Sequence, residues 1–423
     1  MSAAVTLSGV CEFIVDCLHA TAPIQSDGFP LIRTPNIGKG RLLLDDVQRV
    51  SAQTYEKWTR RAMPQEGDLI LAREASAGNV AVVKNGQQVC LGQRTVHLRP
   101  DASQVDPDFL CYYLLAPAQQ GTLLAGETGA TSKHVNMKDI RRLPLHSLPD
   151  LNSQTRIGRI LSAYDDSIEN NQNRMKLLDD AARLLHREWF VRLRFPGHEH
   201  VRVKDGVPEG WNRRVLANVC ASLEDGDWIE SKDQGGEDYR LLQVSNIGIN
   251  EFVETGNFRY VTEETLRRLN CRQVLPGQIL ISRMPRPIGR AWLVAEMPWR
   301  MVTAVDVAIL ASDDSVADRY FLAYHLNSPA SISFCEKRAS GATRPRIARR
   351  ELAELPVLVP PTPLQREFRE IVEPAVLLRA KLYLLNERLR ATRDLLLPRL
   401  MSGEECERHL LAGRPYHEKA QAQ

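Results

Sequence analysis

The tripeptide Asn36-Ile37-Gly38 returns as Asn246-Ile247-Gly248, 210 positions later. The same displacement lays GDLILAR (67–73) on GQILISR (277–283). A displacement of 212 pairs LCYYLLAP (110–117) with LAYHLNSP (322–329), GAT (129–131) with GAT (341–343), and Leu143-Pro144 with Leu355-Pro356. At 211, SQTRIGRIL, which holds Gln154, meets LQREFREIV, which holds Gln365. At 209, LSGVCEFIVD from Leu7 meets LANVCASLED from Leu216. One shared tripeptide is chance. Several, kept in order and drifting as short loop insertions would make them, are a duplication. The period is far too long for a solenoid, so the first half's fold must be built again by the second.

The copies read as a mixed segment followed by a long helix, twice. Residues 1–150 and 196–360, the latter opening with a linker, combine short β-rich runs such as NVAVV and VDVAIL with Gly/Pro turns and a helical DPDFLCYYLLAP. Residues 151–195 and 361–402 read as long helices, and 403–423 as a polar tail. In the first helix, steps of three and four connect Ile157, Leu161, Tyr164, Ile168, Asn171, Met175, Leu178, Ala182, Leu185 and Trp189. In the second they connect Leu364, Phe368, Ile371, Ala375, Leu378, Leu382, Leu385, Leu389, Thr392 and Leu396. Pro374 is expected to kink this helix or start it anew, and Pro398 to stop it. A heptad seam this narrow needs a long partner, and the nearest is the other helix. About 33 helical residues make a rod of roughly 50 Å. The fold class expected is α+β: two similar mixed domains separated by two long antiparallel helices in a coiled coil, with a pseudo-twofold internal repeat.

Composition narrows the function. The 423 residues carry a net charge of only +3, so the distribution of charge matters more than its sum. The eight cysteines form no C-x-x-C pair, which indicates neither a disulfide framework nor a structural zinc site and fits a cytoplasmic protein. The first twenty residues lack a basic leader and hold Glu12 and Asp16, and no apolar run is long enough to span a membrane.

Positive charge gathers in loops that recur. EKRASGATRPRIARRE (336–351) carries Lys337, Arg338, Arg344, Arg346, Arg349 and Arg350 around Thr343. Its counterpart GATSKHVNMKDIRR (129–142) carries Lys133, His134, Lys138, Arg141 and Arg142. The repeated strands end at Arg73 and Arg283, SRMPRPIGR adds Arg286 and Arg290, and NIGKGR adds Lys39 and Arg41. Gly-Ala-Thr before cations offers backbone N–H groups and a hydroxyl to a phosphate, while Arg and Lys can bind phosphates or guanine edges. A single charged loop is ordinarily just solvated; recurrence at equivalent places in both copies is what suggests DNA. No phosphate-binding loop, G-x-S-x-G, H-E-x-x-H or paired-carboxylate nuclease pattern is present, so neither catalytic nor metal-ligating residues are assigned.

Three further features carry a family resemblance: Leu-Pro followed by Gln before each long helix, PEGW (208–211) opening the second mixed segment, and LLLPRLMSGE (395–404) near the end. In these the chain resembles the specificity subunit of type I restriction–modification systems, departing at Phe368, Pro374 and the tail after 404. The resemblance implies two target recognition domains that each read half of a bipartite DNA site, spaced by the helices. It implies no catalysis and no cofactor in this chain. Its partners would be methyltransferase subunits using S-adenosylmethionine, docked on the helices, and restriction subunits using ATP and Mg. A coiled-coil scaffold, an antirestriction mimic, or part of a fused restriction or methylation enzyme remain the alternatives.

Overall fold

Alternation of apolar residues in the repeated strands sets the layering of both copies. In the computed structural model, which describes residues 5–125, 134–146 and 148–402, the chain forms two compact units. The first runs to Asn170 and resumes at Leu385; the second is Asn171–Leu384.

In the first unit a five-stranded sheet has the order Cys11–Asp16, Thr95–Pro100, Leu69–Ala72, Val80–Val82, Gly40–Arg41. Leu69 and Leu71 point into a core shared with the helix Pro107–Leu115, whereas Ile70 and Ala72 point into a second core on the other face. The period of two thus buries the strand on both sides. A small sheet, Arg49–Val50, Phe29–Ile32, Cys90–Leu91, lies beside it in order.

The second unit repeats this order. Cys220–Asp225, Val307–Ser312, Ile279–Ser282 and Ala291–Leu293 form its four-stranded sheet, and Tyr260–Val261, Tyr239–Leu242 and Arg300–Thr303 its small one. Registers match too: Leu69 faces Leu98 and Ile279 faces Leu310. A register shift between Cys11 and Phe13 recurs between Cys220 and Ser222. The Asn-Ile-Gly segments are tight turns in which the Asn36 and Asn246 side chains accept from the backbone N–H of Arg33 and Gln243. The repeat seen in sequence is therefore a repeat of strand order, register and turn.

Each domain is fastened to a long helix by the repeated glutamine. Gln154 Oε1 accepts the backbone N–H of Asp106 at 3.0 Å while its Nε2 donates to Pro149 O at 2.8 Å. Gln365 does the same with Asp318 and Pro360, at 2.7 Å each. Both glutamines are 2% exposed. Asp106 and Asp318 in turn cap the domain helices Pro107–Leu115 and Arg319–Leu326. Beside the first clamp, a Cβ on Gly158 would stand 2.8 Å from both Asp106 Oδ1 and Phe109 N, so that close approach requires glycine.

The central helix is Leu151–His186, followed by a π-helical turn Arg187–Val191; the C-terminal helix is Thr362–Ser402. Within the first unit Asp165 pairs with Arg393, and Asn386 Nδ2 donates to Ile168 O, an antiparallel arrangement. Within the second, Asp179 pairs with Arg379 and Trp189 meets Phe368, also antiparallel. Ile157, Leu161, Ile168, Asn171, Leu364 and Leu382 are buried; Leu178, Leu185, Leu378 and Leu389 are half-buried.

Two seam expectations need correction. Ile371 and Leu385 are 56% and 44% exposed, and the buried stripe instead takes Val372, Arg379 and Asn386. The helix turns these polar residues inward because partners await them, a fact that apolar spacing does not contain. The helix also neither starts anew at Pro374 nor stops at Pro398, but continues through both to Ser402. Each proline removes one backbone donor, but Pro374, Pro398, Glu370 and Asp394 are all exposed, so the freed carbonyls lie on the water-facing side.

Replacing Gln365 by Ala should strand the buried Asp318 N–H and cost about 1–3 kcal/mol, measured by urea unfolding of the full chain. A second expectation concerns acid. His186 sits among Phe190, Phe321, Tyr324 and Phe368, and its Nε2 finds no partner. Burial, with a smaller push from His325, depresses its pKa from 6.5 to about 3. Between those values the unfolded chain takes up a proton that the folded one refuses. Its contribution to stability is therefore full above 6.5 and declines as pH falls toward 3. His186→Leu should flatten the fall in melting temperature between pH 7 and 4; an unchanged slope would remove His186 from the account.

Candidate nucleic-acid interface

The basic loop of the second unit is built on a closed turn. Ser340 and Arg346 exchange two backbone hydrogen bonds, at 3.0 and 2.9 Å, and enclose Gly341, Ala342, Thr343, Arg344 and Pro345. Gly341 has φ +109°, a left-handed conformation that glycine adopts without strain. Thr343 and Arg344 are thereby exposed at the tip, with Lys337 exposed just before it.

Three other cations of this region are held by acids: one in a turn, one on the following short helix and one at a strand end. Arg346 Nε lies 2.8 Å from Asp306, and Arg338 pairs with Glu351 at 2.8 Å. Arg349 donates to Leu223 O at 3.0 Å and approaches Asp225 at 3.4 Å. The first unit repeats this brace: Arg141 donates to Ile14 O at 3.0 Å. In both copies an arginine straps a short helix, Met137–Arg142 or Arg349–Ala353, to the main chain of an edge strand.

Three arginines expected at DNA are engaged within the fold. Arg283 is 3% exposed, pairs with Asp225 at 2.9 Å and donates to Val305 O at 2.7 Å. Burial draws its pKa down, and Asp225 opposes that. Arg290 is 9% exposed and donates to four carbonyls, those of Ile247, Pro285, Pro287 and Val244. It clamps the 284–288 loop to the Asn-Ile-Gly turn. Arg41 is paired with Asp166 and Glu169 of the central helix. A buried guanidinium is tolerable only when so paired, and each already has its acceptors.

Arg73 is half-buried and donates to Val135 O at 3.1 Å. His134 bridges Glu74 in the backbone ladder. Lys39, Lys138 and Arg286 are exposed, and Lys133 lies outside the described residues. Sequence reasoning passed over an open cleft of about 570 Å³ in the second unit, lined by Trp228, Lys232, Gln243, Arg259 and Asp306 among others. Trp228 is 71% exposed. Its only sequence signal was an indole inside the polar run LEDGDWIESKDQ. Among the described residues no group of three or more His, Cys, Asp or Glu could hold a metal ion, and no helix is long and apolar enough to cross a membrane.

Comparison with known proteins agrees with this architecture. The family described as Type I restriction modification DNA specificity domain matches residues 4–178. The chain is 21% identical over 371 residues to the Type I restriction enzyme MjaIX specificity subunit of Methanocaldococcus jannaschii, covering 84% of this chain and 82% of that one. The Putative type I restriction enzyme MjaX specificity subunit of the same organism is 22% identical, covering 85% and 83%. The crystal structure of a type I restriction–modification S subunit from M. genitalium shares the fold, with a TM-score of 0.58 at 16% identity over 93% of this chain and 94% of that one. The matched domain lies in the first part of the chain, and its strand order and glutamine clamp are built again in the second, so that the chain over most of its length is similar to type I restriction–modification DNA specificity subunits.

Proposed function

We propose that this chain is the non-catalytic DNA-reading subunit of a type I restriction–modification complex, each domain recognising one half of a bipartite site. One observation carries the reading. The same platform, an arginine-braced short helix beside an edge strand, occurs in both copies but displays different exposed side chains. Lys138 and Arg142 stand on the first, where the second has Arg350 and Glu354; Lys337, Thr343 and Arg344 stand on the segment that leads into the second. A conserved platform with a changed face is what two readers of different words need, since phosphate contacts fix position and base-edge contacts specify. Arg338, Arg346 and Arg349, half-exposed and ion-paired, would contribute positive potential nearby. Lys39, Arg73, Lys133, His134 and Arg286 are assigned to the same DNA-facing role.

The long helices are assigned the spacer between half-sites. Half-sites one duplex turn apart lie about 34 Å from one another, within reach of a rod of roughly 50 Å. The helices are also assigned the docking of methyltransferase subunits. On the central helix and the π-helical turn that follows it, Leu177, Leu184 and Val191 are 68%, 48% and 58% exposed at heptad spacing, an apolar stripe turned to water. S-adenosylmethionine, ATP and Mg belong in this reading to the partner subunits, and the complex works in the cytoplasm on double-stranded DNA.

Methylated adenines mapped in a host that supplies the methyltransferase should show a bipartite motif only when this chain is present. Arg344→Ala should then relax or change one half of that motif and leave the other intact. Alteration of both halves would refute the one-domain, one-half assignment. Separately, Leu177→Asp with Leu184→Asp should abolish co-purification of the methyltransferase subunit. The melting temperature of the isolated chain should move little, because both side chains already face water.

A further inference from the structure

The duplication is faithful in one tyrosine and unfaithful in what that tyrosine meets. Tyr112 and Tyr324 occupy the same place in the repeat, 212 positions apart. In the first unit Tyr112 donates to Asp165 at 2.5 Å, and Arg393 pairs with the same carboxylate. In the second, Tyr324 donates to Asp179 at 3.4 Å, and Arg379 donates to it at 2.9 Å. A strict copy would give Tyr324 the counterpart of Asp165, which at the displacement of Gln154 and Gln365 is Val376. Instead both aspartates stand on the central helix and both arginines on the C-terminal helix. The spacing is two heptads in each case. All four are nearly buried: the side chains of Asp165 and Arg393 are 5% and 15% exposed, those of Asp179 and Arg379 10% and 9%.

We propose that these two buried Asp–Arg pairs are a partner-selection code. The central helix accepts the C-terminal helix of this chain and rejects a second copy of itself. The register shows why. In the C-terminal helix, the arginines stand where the central helix has Ala182 and Ile168. If two central helices paired in the same antiparallel register, Asp165 would face Ala182 and Asp179 would face Ile168, so that across the seam four carboxylates would meet apolar groups, with only Tyr112 and the more exposed Arg183 of their own half beside them. If two C-terminal helices paired, Arg393 would face Val376 and Arg379 would face Arg390. An uncompensated buried charge is strongly destabilising, whereas the mixed pairing neutralises every one. A duplicated protein needs such a device, because each half otherwise carries a seam complementary to its own twin in another molecule. Apolar seam residues alone, shared between copies by descent, could not discriminate.

The test keeps the whole chain. A protease site is inserted at the exposed Asp205-Gly206 turn, and two batches carrying different N-terminal tags, one of them isotope-labelled so that mass distinguishes its second halves, are cut, mixed in sub-denaturing urea and captured on one tag. The captured first half should bring second halves from both batches but none of the other tag. A charge-swapped chain (Asp165→Arg, Asp179→Arg, Arg379→Asp, Arg393→Asp) mixed with the native one should exchange second halves at least tenfold less than two native batches do. If the swapped chain does not fold, Asp165→Leu with Asp179→Leu serves instead, and should allow the second tag to be captured. Capture of the second tag by native protein would overturn the proposal. So would equal exchange between native and swapped chains, or continued exclusion by the leucine variant.

Discussion

Gln154 and Gln365 each bury an amide where a domain hands over to a long helix, bonding the helix lead-in to the first residue of a capped domain helix. That fastening is the constraint on which the rest depends. A helix with a narrow apolar seam is marginal in water until something covers the seam. The clamp sets the helix phase against the domain, so that Ile157 and Leu161 in one unit and Phe368 and Val372 in the other enter the domain core. Once the first turn is fixed, the seam's later positions follow from helical geometry. The second helix is then the remaining cover.

The interface is organised by a related economy of charge. Most of the cations that a reader would assign to DNA are held by acids or carbonyls, and their work is to shape loops. Arg290 draws four carbonyls together, and Arg141 and Arg349 brace the same strand in the two copies. What remains outward is a smaller set on short helices and a loop tip, including Lys138, Lys337 and Arg344. A tip held by a buried scaffold can change its side chains without disturbing the fold, which is how one platform can serve two recognition tasks.

Divergence between the copies follows the same rule. Where both copies need a feature for folding, the atoms coincide: the glutamine clamp, the turn asparagine, the strand bulge; the brace keeps its accepting carbonyl, Ile14 or Leu223, and draws its arginine from a different position of the short helix. Where each copy needs its own answer, they separate. Gly158 must be glycine against Asp106, but its counterpart Arg369 lies 3.8 Å from Asp318. Arg41 reaches acids of the central helix, whereas its counterpart Glu251 lies beside a cavity walled by Phe252, Trp292 and Tyr383.

The sequence by itself determined the duplication, the α+β class, the two long helices and the existence of recurrent basic loops. Those follow from local pattern: short β-rich runs between Gly/Pro turns, heptad spacing, and residues kept in order across two copies. Only the tertiary structure decided which polar residues are inside. The heptad reading chose Ile371 and Leu385 because they are apolar, and the fold chose Arg379 and Asn386 because Asp179 and the Ile168 carbonyl stand opposite. Likewise Arg41, Arg283 and Arg290 were indistinguishable from Arg344 as letters. An arginine is bound or free according to whether acceptors from remote segments reach it, and that proximity exists only after the chain has closed on itself.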